Sequence, residues 1–255
     1  MLQKNAPIAV FDSGHGGISV LRELIRLMPQ EDYLYFGDSA HAPYGPRTPD
    51  EVQRLTCANA ALLLNRGCKA LVVACNTATS AAIDILRKTY PETPVIGIEP
   101  ALKPAVTEHD HPTVLVMATE MTLKEEKFRL LVESYREEAV IYRLPAPGIV
   151  ESVERGAVDG PELDAYLQQI FQPYRKIRID AVVLGCTHFP FVRSAIVRNI
   201  GQPVTIYDGG PGTARETQRR LREKGLLTER RTPGHVELTN SRPEAAAISG
   251  KLLSL

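Results

Sequence analysis

The chain has 255 residues, 44% of them hydrophobic, and its thirty basic side chains are balanced by thirty acidic ones. That length supports one large α/β domain or two smaller ones with real cores, and a net charge of zero argues against a dedicated nucleic-acid binder, which needs an excess of Lys and Arg on some face. Apolar runs such as Ala70 to Ala74 fall far short of the ~20 residues of a membrane helix, and the first residues show no secretory signal pattern. A cytoplasmic protein is therefore expected, with no membrane or nucleic-acid partner and with Cys57, Cys68, Cys75 and Cys186 reduced.

Short β-branched apolar runs bounded by turn residues punctuate the chain. They are Ile8–Phe11, Tyr33–Phe36, Ala70–Ala74, Val95–Ile98, Thr113–Met117, Val140–Arg143, Ala181–Leu184 and Val204–Tyr207, each read as a strand. Helical patterns lie between them. Ile18, Leu21, Leu24, Ile25 and Met28 fall on one helical face. Thr48-Pro49-Asp50-Glu51 is a helix start, with Thr as N-cap, Pro at the first position and Glu three residues after the cap. That helix carries Val52, Leu55, Leu62 and Leu63, and Gly67 is placed to stop it. Strand alternating with helix predicts a mostly parallel sheet covered on both faces. The segment from Gly212 to Lys224 predicts a helix packing back on the first half, its basic run from Arg219 a solvated face.

Two stretches of the chain repeat one another. Lys69-Ala-Leu-Val-Val-Ala-Cys-Asn-Thr77 matches Asp180-Ala-Val-Val-Leu-Gly-Cys-Thr-His188, and Ile8–Asp12 is echoed by Thr113–Met117. Asp12 precedes Cys75 by 63 residues and Thr119 precedes Cys186 by 67. The expected fold is α/β: two similar domains with mostly parallel sheets, related by a pseudo-twofold duplication, with the active site in the cleft between them. Their expected bounds are 1–98 with 208–255, and 99–207. Each half then presents a cysteine at the carboxyl end of a strand, where ligands sit in open α/β sheets.

Cys57 and Cys68 read as core residues. Cys75 and Cys186 are different, since each follows a strand, is expected to open a helix whose N-terminus stabilises a thiolate, and has polar neighbours where a core would be apolar. No CxxC spacing suggests a redox site, and the compact Cys/His pairs of a structural zinc site are missing, so no metal is expected. Two equivalent thiols suit racemisation, in which one group removes a proton from one face of a carbon and the other donates to the opposite face. The glycine-rich turn Asp12-Ser13-Gly14-His15-Gly16-Gly17 lacks the Lys-Ser/Thr of a P-loop. It reads either as a tight connection or as a loop aiming Asp12 and Ser13 into the cleft. His188 is placed to hold or relay the proton of Cys186, and Asp12 to do the same for Cys75.

With these residues assembled, the chain resembles the glutamate racemase family of the wider Asp/Glu racemase superfamily. The resemblance lies in Phe11-Asp-Ser-Gly-x-Gly-Gly17, Tyr35-Phe-Gly-Asp38, Pro43-Tyr-Gly45, Ala74-Cys-Asn-Thr77, Gly97-Ile-Glu-Pro100 and Gly185-Cys-Thr-His188-Phe-Pro190, and covers about residues 7 to 225. It implies an isomerase that interconverts L- and D-glutamate without pyridoxal phosphate, other cofactor or metal, and supplies D-glutamate for peptidoglycan synthesis. It implies Cys75 and Cys186 as catalytic acid/bases, assisted by Asp12, Glu151 and His188. Asp12, Ser13, Tyr44, Gly45, Asn76, Thr77, Thr119, Thr187 and His188 match substrate-binding positions. The expected partner is the small-molecule substrate, and the expected assembly a homodimer. Departures from the family pattern are His15 in place of a small apolar residue, the lead-in Pro145-Ala-Pro-Gly-Ile-Val-Glu151, and Phe189 and Phe191, which are expected to retune the pocket wall. The alternatives are a racemase for aspartate and a non-catalytic binding role, such as an amino-acid sensor or a partner of DNA gyrase, which some family members are reported to bind.

Overall fold

A computed structural model describes residues 2–255. The first half runs β1 (Ile8–Asp12), α1 (Ile18–Leu27), β2 (Tyr33–Gly37), α2 (Pro49–Leu64), β3 (Ala70–Val73), α3 (Asn76–Thr89) and β4 (Val95–Gly97). The second runs α4 (Leu102–Thr107), β5 (Thr113–Ala118), α5 (Glu120–Lys124), α6 (Glu126–Glu133), β6 (Val140–Pro145), α7 (Pro147–Glu154), α8 (Pro161–Phe171), β7 (Ala181–Leu184), α9 (Arg193–Ile200) and β8 (Thr205–Asp208). The chain then returns to the first sheet with α10 (Gly210–Glu223), β9 (Val236–Asn240) and α11 (Ala246–Leu253).

The strands form two wholly parallel sheets, ordered β4-β3-β1-β2-β9 and β6-β5-β7-β8. Adding four to each label of β4-β3-β1-β2 yields β8-β7-β5-β6, so the duplication extends to strand order. The register shifts the expected correspondence by one residue. Phe11 pairs with Val73 and Met117 with Leu184, which equates Asp12 with Ala118, and Ser13 rather than Asp12 with Thr119. The backbone repeats itself at that point: Ala74 N–H donates to Phe11 O, and Gly185 N–H to Met117 O, both at 2.7 Å.

The central strands β1, β3, β5 and β7 are apolar on both faces because helices cover both. Ile8 and Val10 pack with α1, while Ala9 and Phe11 belong to the core under α2 and α3. In the second sheet Leu115 and Met117 face α7–α9, and Val114 and Val116 face α4–α6. α2 opens with the expected capping box, Thr48 accepting from Glu51 N–H while the Glu51 carboxylate takes Thr48 N–H at 3.0 Å. Its Leu62, however, points to solvent.

α10 lies against α1 through Ala214, Thr217 and Leu221, and Arg219 and Arg220 are neutralised locally by Glu216, at 2.7 and 3.3 Å. The edge strand β9 had no clear signal in the sequence, being five half-buried residues after a polar loop. Arg230 fixes that loop by a two-pronged ion pair with Asp32, at 2.7 and 2.8 Å. No helix among the described residues is long and apolar enough to cross a membrane.

Candidate active site

A pocket of about 370 Å³ opens at the carboxyl ends of both sheets and is lined by Cys75 from one half and Cys186 from the other. That size falls in the range of small-molecule sites. Ser13, Tyr44, Gly45, Asn76, Thr77, Thr119, Thr187, His188 and Glu151 also line it. Asp12 does not; it is fully buried beneath the floor. Cys57 and Cys68 lie in or against the core under α2.

Cys75 caps α3, and its Sγ accepts Ala78 N–H at 3.4 Å while lying 3.5 Å from Ser13 Oγ. Burial, with the charge of Asp12 added, pushes this thiol up to about 12. Cys186 departs from the expected symmetry because no α-helix starts after it. Phe189 to Val192 forms a 3₁₀ turn, and α9 begins only at Arg193. In place of a long helix N-terminus the second thiol has an imidazole, with Nδ1 of His188 3.5 Å from its Sγ.

His188 Nε2 meets Oε1 of Glu154 at 2.6 Å. Burial opposes charge on this ring, but the Cys186 thiol and the Glu154 carboxylate outweigh it and hold the imidazole well above its usual range. Burial likewise works against the Glu154 carboxylate, yet its bonds to His188 and His15 bring it below its usual range. Glu154, which the family resemblance did not single out, is the carboxylate that pairs with His188. Glu151, expected in this role, sits one helical turn earlier on α7, solvent-exposed at the pocket rim. α7 contains the Val-Glu pair twice, as Val150-Glu151 and Val153-Glu154, and only the second turns its carboxylate under His188.

Asp12 also differs from expectation, as it makes no bond to Cys75. It accepts Gly14 N–H at 2.9 Å on one oxygen and, across the two halves, Thr187 O–H at 3.0 Å on the other. The register explains this, since Ser13, one residue on, occupies the position beside the thiol. Burial raises the Asp12 carboxyl above its usual range, with His188 opposing.

The glycine-rich turn is required by close approach. A Cβ on Gly14 would strike the Glu154 carboxylate, and one on Gly16 would strike Thr187 Oγ1 and His188 Nδ1.

Tyr44 donates to Asp38 at 2.7 Å, fixing a loop whose Gly45 sits against Thr119. The hydroxyls of Thr77 and Thr119 meet at 3.1 Å across the two halves. Asn76 Oδ1 is buried without a partner among the described residues. The described lining includes no Lys or Arg, so an anionic ligand here meets hydroxyls, amides and the positive end of α3. Phe189 is fully buried and Phe191 packs on the same core, so neither forms the pocket wall as expected; Pro147 and Val150 do.

Residues 8–217 match the model of the Asp/Glu/hydantoin racemase family. The chain belongs to that family. It is 50% identical over 241 residues to a glutamate racemase of Clostridium botulinum, covering 94% of this chain and 93% of that protein. Among solved structures, it is similar to glutamate racemase of Bacillus anthracis, with a TM-score of 0.88, 32% identity and coverage of 99% and 96% of the two chains. A second is glutamate racemase from Francisella tularensis in complex with D-glutamate, with a TM-score of 0.85, 28% identity and coverage of 99% and 95%. The enzyme is thus an amino-acid racemase, an isomerase.

Proposed function

We propose that this enzyme interconverts L- and D-glutamate by two-base proton transfer between Cys75 and Cys186, and so supplies D-glutamate for peptidoglycan in the cytoplasm. One observation carries this reading: thiols at equivalent positions after β3 and β7 line the same pocket from opposite halves. Those halves, taken as residues 1–98 with 208–255 and residues 99–207, form the two walls. Glutamate is the substrate of choice because the relatives that match nearly the whole chain are glutamate racemases.

In one direction, the thiolate of one cysteine takes the Cα proton and becomes a thiol. The C–H electron pair passes into the substrate's carboxylate, and the opposite thiol protonates Cα from the other face and is left as thiolate. No net proton is gained. The unfavourable step is the carbanion, and fixed N–H and O–H dipoles at the start of α3 and on Ser13, Thr119 and Thr187 are placed to stabilise it. The unpartnered Asn76 oxygen suits the substrate ammonium. Asp12 holds the floor of both halves together, and Glu154 keeps His188 charged beside Cys186. The surroundings differ: burial and the Asp12 charge hold Cys75 as the thiol, while Cys186 faces an imidazole that Glu154 keeps charged.

The test is incubation of the purified protein with L-glutamate in deuterated water without added cofactor, followed by chiral chromatography and mass spectrometry. D-glutamate carrying one deuterium is expected. Retention of L-glutamate with no exchange overturns the reading, and faster exchange of L-aspartate replaces the substrate.

A further inference from the structure

His15 interrupts a turn otherwise made of small residues, yet its ring is almost wholly buried at 1% exposure. Its backbone N–H donates to Oε1 of Glu154 at 2.7 Å, the same oxygen that meets His188. Its ring Nε2 lies 3.9 Å from the other oxygen, Oε2, and its Nδ1 meets Ser249 Oγ of α11 at 2.9 Å. Ser249 is fully buried, and Nδ1 of His15 is its hydrogen-bond partner among the described residues. If the hydroxyl donates, Nε2 carries the ring proton and faces a carboxylate. If Nδ1 donates instead, a bare Nε2 lone pair faces that carboxylate, which is unfavourable. The first tautomer is therefore the stable one.

We propose that His15 is a positioning residue for the racemisation: with its tautomer fixed by Ser249, it orients the Glu154 carboxylate and, through it, the His188 imidazole beside Cys186. The role rests on the two-cysteine reading above. It makes a relay of five groups, Ser249, His15, Glu154, His188 and Cys186, that starts on the C-terminal helix and ends at the reacting thiol. The glycines flanking His15 allow its loop to thread between Glu154 and His188. Other ionisable groups facing His188 are Asp12 from the end of β1 and, across the pocket, Cys75. α11 faces the relay with a neutral hydroxyl, and its Lys251 is exposed to solvent. Burial holds His15 below the usual imidazole range, so a neutral ring lies beside the Glu154 carboxylate.

The experiment is the NMR titration of the His188 imidazole in the full-length protein and in His15→Leu, His15→Gln and Ser249→Ala variants. His15→Leu is expected to lower the His188 midpoint by about one pH unit, the size of shift a nearby charge or hydrogen bond produces. Ser249→Ala is expected to lower it by less, and His15→Gln, which keeps an N–H donor, to leave it near the wild-type value. A wild-type midpoint in Ser249→Ala, or equal shifts in His15→Leu and His15→Gln, overturns the proposal. Should His15→Leu fail to fold, Ser249→Ala decides alone. Racemisation by the wild type is measured separately, so a wild type that does not racemise sinks the functional reading without touching this outcome.

Discussion

Glu154 and His188 come from different elements, α7 and the loop after β7, and meet through a 2.6 Å hydrogen bond from Nε2 to Oε1. The other face of the same imidazole looks at Cys186. A carboxylate that fixes the ring's orientation and favours its cation can act on the thiol without touching the substrate.

The first consequence separates Glu154 from Glu151. Glu154→Gln keeps a hydrogen-bonding side chain but removes the charge, and kcat/KM is expected to fall by about 10²-fold. Glu151→Gln, at the exposed rim, is expected to cost less than about tenfold and to act on KM. Steady-state assays of both variants decide it, and equal losses would return Glu151 to the role read from the family pattern.

In the proposed two-base reaction, replacing either thiol removes one of two proton carriers. Cys75→Ser and Cys186→Ser are each expected to lose at least about 10³-fold in racemisation, with thermal melts close to wild type because the side chains are nearly isosteric. Since L- and D-glutamate have equal free energies, kcat/KM must fall equally in both directions, which is an internal check on the assay.

The environment of Cys75 can be read by alkylation. Its thiol is pushed up to about 12 by burial and then by the Asp12 charge, so iodoacetamide should label it slowly at neutral pH and faster as pH rises. Asp12→Asn removes the negative charge, lowers the thiol's pKa and should speed labelling of Cys75 at fixed pH, even as racemisation falls. Slower labelling in that variant would contradict the assigned electrostatics.

Gly16→Ala tests close approach. The added methyl meets Thr187 Oγ1 and His188 Nδ1, so stability should drop by about 1–3 kcal/mol, with activity falling further as His188 is displaced. Urea unfolding and kinetics on the same preparation measure both, and a fully active, wild-type-stable variant would mean the loop yields.

Far from the site, the Arg230 guanidinium holds Asp32 down to about 2 from its ordinary 3.8. A carboxylate with a lowered folded-state pKa contributes stability in full above 3.8 and loses it as pH falls through about 2. Arg230→Met should therefore lower stability at neutral pH, and only modestly, because the pair is screened by solvent. Urea unfolding curves of variant and wild type should converge near pH 2.

Much of this was legible in the residues themselves. Strands such as Ala70–Val73 and Ala181–Leu184 announce themselves because a parallel sheet buried on both faces needs an unbroken apolar run. The Thr48 capping box acts within four residues, so it too is local. The repeated strand-Cys pattern pointed to two matched thiols because each half carries its own copy. β9 was invisible because an edge strand in a polar stretch gains its order from β2, not from its own sequence.

The sequence by itself determined the parallel α/β halves and the two cysteines, since apolar runs, caps and a duplicated motif are properties of neighbouring residues. Tertiary structure alone decided what surrounds each thiol. Register put Ser13 rather than Asp12 beside Cys75, and a single helical turn put Glu154 rather than Glu151 under His188. Both choices depend on a shift of one or three residues, which leaves composition and pattern unchanged but turns a different side chain toward the pocket.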